Sequence, residues 1–462
     1  MLLATVPRQA VSRRRLALAE ALEGGTALFA AGHPRPRNYA ANAHPFRPDS
    51  HFLYFFGWGA PGAMGLVSPQ GATVYLPADE PDAALWSGPR PSLEEVARAL
   101  GVAAEPLEEL SSALAKLGAD VATLAAIDPD ARAAQARWLG RAVIPGALEG
   151  ADAALADAVI ALRLRHDEAA QAELRQAAEV TALAHTAGMR ATRAGLQESV
   201  VRAAMEAELI ARGCATAYGS IVTVHGEILH NETHANTLDA DDLLLADVGA
   251  ESPGGWAGDV TRTWPVSGRY APEQADIYDV VLEAQRAAIA AVRPGARYRD
   301  IHLGAMESVA RGLGALGVLR GDPVERVHDG TVALFFPHGI GHLLGLDVHD
   351  MEDLGDRAGY AAGRARAAEP GLRYLRLDRD LVEGMAVTIE PGIYFVPAIL
   401  DNPQTQQRFG DRVDFARVAK YRRIRGIRVE DDVLVTDAGN EVLTVAIPKA
   451  RNDIETLLFR ES

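Results

Sequence analysis

The chain has 462 residues, more than one hydrophobic core usually covers, so two domains are expected. It is 48% hydrophobic and 6% aromatic, an ordinary globular composition, with 46 Lys+Arg against 62 Asp+Glu and a net charge of −16. A surface this acidic is repelled by phosphate backbones and anionic lipid, which argues against nucleic-acid and membrane partners, while the single Cys214 excludes an internal disulfide and suits a reducing cytoplasm.

At the amino terminus, Met-Leu-Leu-Ala-Thr-Val is too short for a signal core, and Arg13, Arg14 and Arg15 follow it instead of preceding it. Neither an export signal nor a spanning segment is expected. From there to about residue 165 the pattern alternates. Residues 26–30 and 72–76 read as strands, 93–100 and 107–117 as helices, and the mixture predicts an α/β domain. Residues 46–58 concentrate the aromatics and read as a packed strand and turn. Trp86, in Leu-Trp-Ser-Gly-Pro, is assigned to packing, and no cluster of ionisable groups stands out in this half.

The charged segment 163–168 marks a boundary and opens an Ala-rich helix, with Leu174, Ala177, Val180, Ala184 and Ala187 on one face. Domains of 1–165 and 166–462 follow. Beyond it, strands are expected to dominate 218–247 and 385–445, with helices over 273–292 and 301–316 between them, an α+β pattern. The Arg-, Ala- and Gly-rich stretch 351–380 reads as a long loop, a length that is often functional.

Four stretches carry the chemistry. Residues 243–263 hold an apolar run ending on Asp247, a Ser-Pro-Gly-Gly turn and a second β-prone run from Asp259, which predicts a hairpin with one carboxylate on each strand, facing each other. Two such acids repel unless a cation lies between them. Residues 336–349 place His338, His342 and His349 in a Gly-broken segment that is not a helix, so no zincin-type pair is implied. Glu390 closes a β-rich run at Glu-Pro-Gly, and Arg428 and Glu430 share a strand face by their two-residue offset. Four carboxylates with one imidazole carry the charge that two divalent cations neutralise. Oxygen-rich ligation favours Mn²⁺, with Co²⁺, Zn²⁺ or Fe²⁺ as alternatives. A metal pair roughly 3.5–4 Å apart acidifies a shared water and polarises a carbonyl, which is hydrolytic chemistry.

Together, Ala-Gly-Asp-Val-Thr-Arg-Thr, Pro-His-Gly-Ile-Gly-His, Thr-Ile-Glu-Pro-Gly-Ile-Tyr and Ile-Arg-Val-Glu-Asp-Asp resemble the pita-bread dimetal Xaa-Pro peptidases, prolidase and aminopeptidase P. Phe-Arg-Pro-Asp-Ser-His-Phe-Leu-Tyr-Phe resembles their amino-terminal domain. The resemblance implies a carboxy-terminal pita-bread (creatinase/aminopeptidase-like) catalytic domain after a smaller creatinase-like α/β domain. It implies Asp247 on one metal, His342 and Glu390 on the other, and Asp259 and Glu430 bridging both. Glu390 would also relay a proton to the leaving proline nitrogen. By the same resemblance His230 and His349 stabilise the tetrahedral intermediate, His338 lines the proline pocket and Arg428 orients its neighbours.

The Leu-Arg-Tyr-Leu-Arg segment resembles one in prolidase whose second arginine, here Arg376, binds a dipeptide's carboxylate, so a Xaa-Pro dipeptidase is the first expectation and an aminopeptidase acting on longer peptides the alternative. A pita-bread binding protein without catalysis, or metal-free creatinase-like hydrolysis, is disfavoured because all five ligand positions are filled. The Asp247 to Asp259 hairpin is one residue longer than the family's. A homodimer or homotetramer is also implied, with Trp86 as a residue that could cap a neighbouring subunit's site.

Overall fold

The structure, a computed structural model, describes residues 6–79, 82–118 and 120–459. It divides into two compact units: Met1–Ala169 with Met351–Gly355, and Ala170–Asp350 with Asp356–Ser462.

In the first unit, α1 (Arg8–Ala21) precedes a five-stranded sheet. β1 (Thr26–Ala30), buried along its whole length, pairs antiparallel with β2 (Met64–Ser68), and β2 pairs antiparallel with β3 (Gly71–Leu76). β4 (Ala103–Pro106) joins β3 and β5 (Val121–Thr123) joins β1, both in parallel. The aromatic run expected as strand and turn is instead a helix, α2 (Ser50–Phe56). Local chemistry decides it: the Asp49 carboxylate accepts from the amides of His51 and Phe52 at the start, and Gly57, at φ 66°, closes the end. Trp86 lies on the short α3 (Ala83–Ser87) and is 82% exposed, so it is not packed into the core of its unit as expected.

This unit also holds a polar cluster around the buried His51 and Arg163 that the sequence did not reveal. His51 Nε2 donates to Asp353 Oδ2 at 2.8 Å, and its Nδ1 accepts from Arg163 Nη1 at 3.0 Å, because a guanidinium can only donate. These partners stand 302 and 112 residues away in the chain, beyond the reach of any local pattern.

α4 (Glu168–Ala191) leads into the second unit with Leu174, Ala177, Val180 and Ala184 buried and Ala187 half-buried, the face its spacing predicts. β6 (Ile221–Thr223), β7 (Leu243–Asp247) and β8 (Thr261–Pro265) form an antiparallel sheet with β7 in the middle. α5 (Pro272–Ala291) and α6 (Tyr298–Ala315) pack on each other. Next come β9 (Ala386–Ile389), β10 (Gly392–Tyr394), β11 (Gly426–Arg428), β12 (Asp431–Val435) and β13 (Asn440–Val442). β12 sits between β9 and β13, and β10 pairs with β11, all antiparallel. Strands do not dominate 385–445 throughout, because Pro397–Leu400, Pro403–Phe409 and Phe415–Tyr421 are helical. Prolines at the first helical position and the Asn402 and Asp414 caps start them.

Among the described residues, no helix is long and apolar enough to cross a membrane.

Candidate metal centre

The hairpin forms, but its acids are not face to face. β7 and β8 pair Asp247 with Thr261, and the ladder continues through Val248 N to Val260 O (3.1 Å), Gly258 N to Ala250 O (2.8 Å) and Ser252 N to Trp256 O (2.8 Å). Asp259 therefore precedes β8 and lies opposite Gly249, diagonal to Asp247. The offset corrects the expected pairing. Residues 253–255 make the turn, and a Cβ at Gly249 would run into the Gly258 carbonyl, so glycine lets the two arms close.

The histidine segment runs beside β9. Glu390 N donates to Ile340 O (2.8 Å), Thr388 N to His342 O (3.0 Å) and Leu344 N to Ala386 O (3.0 Å), while Thr388 Oγ1 accepts from His342 N (3.1 Å). Any side chain at Gly341 would strike the Thr388 carbonyl and the Tyr298 hydroxyl. This pairing brings His342 Nε2 to 3.7 Å from Glu390 Oε1 and 3.3 Å from Asp259 Oδ2.

Glu430 comes from the link between β11 and β12. Its amide donates to Thr261 O at 3.0 Å, and Thr261 Oγ1 donates to its Oε2 at 2.7 Å. The next residue anchors it: Asp431, fully buried, accepts from Arg262 Nη2 (2.7 Å), Lys449 Nζ (2.5 Å), Gln285 Nε2 (2.7 Å) and Thr444 Oγ1 (2.8 Å). Burial alone would raise the Asp431 carboxyl, but Arg262 and Lys449 hold it below the usual range.

All ten side chains singled out in the sequence line one cavity of about 350 Å³. Asp259, His342 and Glu430 each offer a ligand atom, and the three lie within 4.8 Å of one another. The other two expected ligands sit at the edge of this triad. Asp247 accepts from Tyr218 Oη (2.6 Å) and Arg428 Nη2 (2.5 Å), and Arg428 also donates to Thr261 Oγ1 (2.8 Å) and Tyr394 Oη (3.2 Å). Glu390 faces His342 and His338 at 3.7 and 3.8 Å, beyond hydrogen-bond range. His338 donates from Nδ1 to the Gly339 carbonyl (2.7 Å) and accepts at Nε2 from Tyr394 Oη (2.8 Å). His349 stands edge-on to His342 with ring centroids 4.3 Å apart, and His230 is exposed at the cavity wall.

Burial drives the electrostatics. It pushes Glu390 up to about 7 and raises Asp259 and Glu430, with neighbouring acids adding to the effect. It lowers His338 to about 3 and His349 to about 2, keeping both rings neutral at pH 7. Asp259, Glu390 and Glu430, each raised by burial, stand with Asp247 beside an imidazole, a donor set that suits a hard or borderline divalent ion. Sequence reasoning missed Tyr218, Thr261, Tyr374 and Tyr394. Thr261 stands two residues after Asp259 and Tyr394 ends the Glu-Pro-Gly-Ile-Tyr word, whereas nothing local marks Tyr218.

A buried cluster of carboxylates and histidine, held between antiparallel sheets, defines a divalent-metal hydrolase. Residues 172–437 match the model of metallopeptidase family M24, and residues 11–125 match the aminopeptidase P amino-terminal domain. The chain belongs to metallopeptidase family M24 and has its pita-bread fold. It is 31% identical to the Xaa-Pro aminopeptidase of Escherichia coli over 98% of both chains, and 32% identical to a probable Xaa-Pro aminopeptidase of Fusarium vanettenii over 90% of this chain and 88% of that one. The structure of Pseudomonas aeruginosa aminopeptidase PepP is similar with a TM-score of 0.81, at 30% identity over 99% of each chain.

Proposed function

We propose that this metallopeptidase is an Xaa-Pro aminopeptidase, releasing the first residue of peptides with proline in second position. The observation that carries this is the aminopeptidase name shared by relatives matching nearly the whole chain. It favours the alternative over the dipeptidase first expected from Leu-Arg-Tyr-Leu-Arg, which no similarity specifically supports.

Asp247, Asp259, His342, Glu390 and Glu430 would hold a pair of divalent ions, Mn²⁺ first by the hardness of the donors and Co²⁺, Zn²⁺ or Fe²⁺ otherwise. When bound, the pair supplies an acidified water and a polarised carbonyl. The remaining work belongs to the side chains. Glu390, near neutrality by burial, is suited to pass a proton to the proline nitrogen, a poor leaving group until protonated. His230 and His349 serve as donors to the oxygen of the tetrahedral intermediate. His338, neutral and oriented by Tyr394, walls the proline ring, and Arg428 keeps Asp247 turned inward. Arg376, on the cavity wall, meets the chain beyond proline. The lone Cys214 suits a cytoplasmic enzyme, and the exposed Trp86 supports a homodimer or homotetramer.

The test compares a Xaa-Pro-Yaa tripeptide with the Xaa-Pro dipeptide, after chelation and Mn²⁺ add-back. The tripeptide should show at least about a tenfold higher kcat/KM, worth about 1.4 kcal/mol. A dipeptide preference, with Arg376→Ala raising KM for the dipeptide alone, would restore the dipeptidase.

A further inference from the structure

Residues 356–380 form an irregular strap pinned along its length. His302 Nε2 donates to Gly371 O (2.8 Å), and Tyr360 Oη and Arg366 Nη1 both donate to Leu375 O (2.7 and 2.8 Å). Arg297 grips Asp378 with two hydrogen bonds of 2.7 and 2.6 Å, and Leu375 and Leu377 are buried. Held this way, the strap presents Tyr374 and Arg376 as one wall of the metal-centre cavity.

The strap's arginines differ in what they do. Arg364 pairs with Asp380 at 2.9 Å, Arg366 with Asp356 at 2.6 Å, and Arg379 donates to the carbonyls of Ala358 and Arg357. Arg373 makes no ion pair among the described residues. Its exposed guanidinium lies over the Tyr374 ring, 4.6 Å from the centroid. Stacking of this kind fixes the group while leaving its in-plane N–H donors available to a carboxylate. Arg373 is not itself a lining residue, but the ring it stacks on is one of the cavity's walls.

The cavity is therefore polarised. Asp247, Asp259, Glu390 and Glu430 line one side with Arg428 paired to Asp247, while Arg376 stands in the strap wall and Arg373 is stacked on Tyr374 of that wall. Opposite fields at the two ends orient a peptide, drawing its amino group inward and acidic groups to the rim. We propose that Arg373, steadied by Tyr374, receives the side-chain carboxylate of the residue that follows proline, so that peptides of the form Xaa-Pro-Glu or Xaa-Pro-Asp are preferred substrates. This rests on the Xaa-Pro reading above and adds the substrate class.

The test uses the Mn²⁺-loaded full chain and two carboxy-terminally amidated peptides, Gly-Pro-Glu-Ala and Gly-Pro-Gln-Ala. Their kcat/KM ratio within one enzyme cancels any loss of folded protein. The wild type should favour the glutamate peptide by about fivefold at low salt, the upper range for an exposed ion pair, and by less in 0.5 M NaCl. In Arg373→Gln the ratio should fall to about one, and Arg373→Glu should favour Gly-Pro-Lys-Ala amide over the glutamine peptide. A wild-type ratio near one, or the same ratio in Arg373→Gln, overturns the proposal. Failure of the wild type to release glycine from Gly-Pro-Ala-Ala amide would instead defeat the underlying Xaa-Pro reading.

Discussion

The two units each give acids close partners, and they do so in different ways. In the first, Asp353 meets the N–H of His51 and Asp49 meets two amides at the start of α2; in the second, Asp259, Glu390 and Glu430 line one cavity and face one another. Burial acts on both sets. It raises Asp49 despite its two amides, but the charged partners His51 and Arg163 hold Asp353 down to about 2, whereas Glu390 rises to about 7. A buried carboxylate with its donors in place is part of the scaffold, and a group of them short of positive charge is a place for a cation.

Removing a carboxylate should therefore cost most where the donors are in place. Asp353→Ala removes the acceptor of the buried His51 N–H, and should destabilise the first unit by about 1–2 kcal/mol, the cost of leaving one buried donor unpaired. Urea unfolding followed by a probe in that unit measures it, and a loss below about 1 kcal/mol would mean that the cluster is not structural. Acid should act on the same pair. Asp353 has a folded value near 2 against an ordinary 3.8, so its contribution is complete above about pH 4 and is lost as the pH falls toward 2. Because Asp353 is partly open to solvent, the loss is discounted to about 1 kcal/mol, and a pH series of unfolding midpoints should show it in the wild type and not in Asp353→Ala. Glu430→Gln should do least. Burial and its acidic neighbours raise Glu430 well above its ordinary value, which disfavours its charged form in the metal-free protein, so an amide of the same shape should shift stability by less than about 1 kcal/mol. The thermal stabilisation that Mn²⁺ gives the wild type should, however, shrink in this variant. A large destabilisation without metal would erase the contrast between the units.

The sequence exposed the candidate metal centre better than the scaffold, for a physical reason. Ligand words such as Thr-Ile-Glu-Pro-Gly place an acid where an apolar strand cannot tolerate one, and that conflict is visible locally. The ten singled-out residues reached one cavity, most of them because they carried such a conflict or sat in a quoted word. The aromatic run at 46–58 misled because Phe and Tyr favour strands, while the cap of Asp49 and the left-handed Gly57 made it a helix. The helices within 397–424 were likewise announced by prolines and Asn402, signals outweighed by the β-rich flanks. No pattern could have joined His51 to Asp353, nor shown that Arg373 stands on a tyrosine without an acid beside it.

Glu430, Asp431 and Asp432 are consecutive, yet the first faces the cavity, the second is locked onto Arg262 and Lys449, and the third accepts from the Asp259 amide at 3.1 Å. Strand pairing alone would tolerate a slip of one position, since every residue in the run is acidic or aliphatic. The lock on Asp431 forbids it: a shifted chain would strand Arg262 without a counter-ion in a dry interior. The two ion pairs of Asp431 thus serve as a registration pin that keeps Glu430, and not its neighbours, at the cavity.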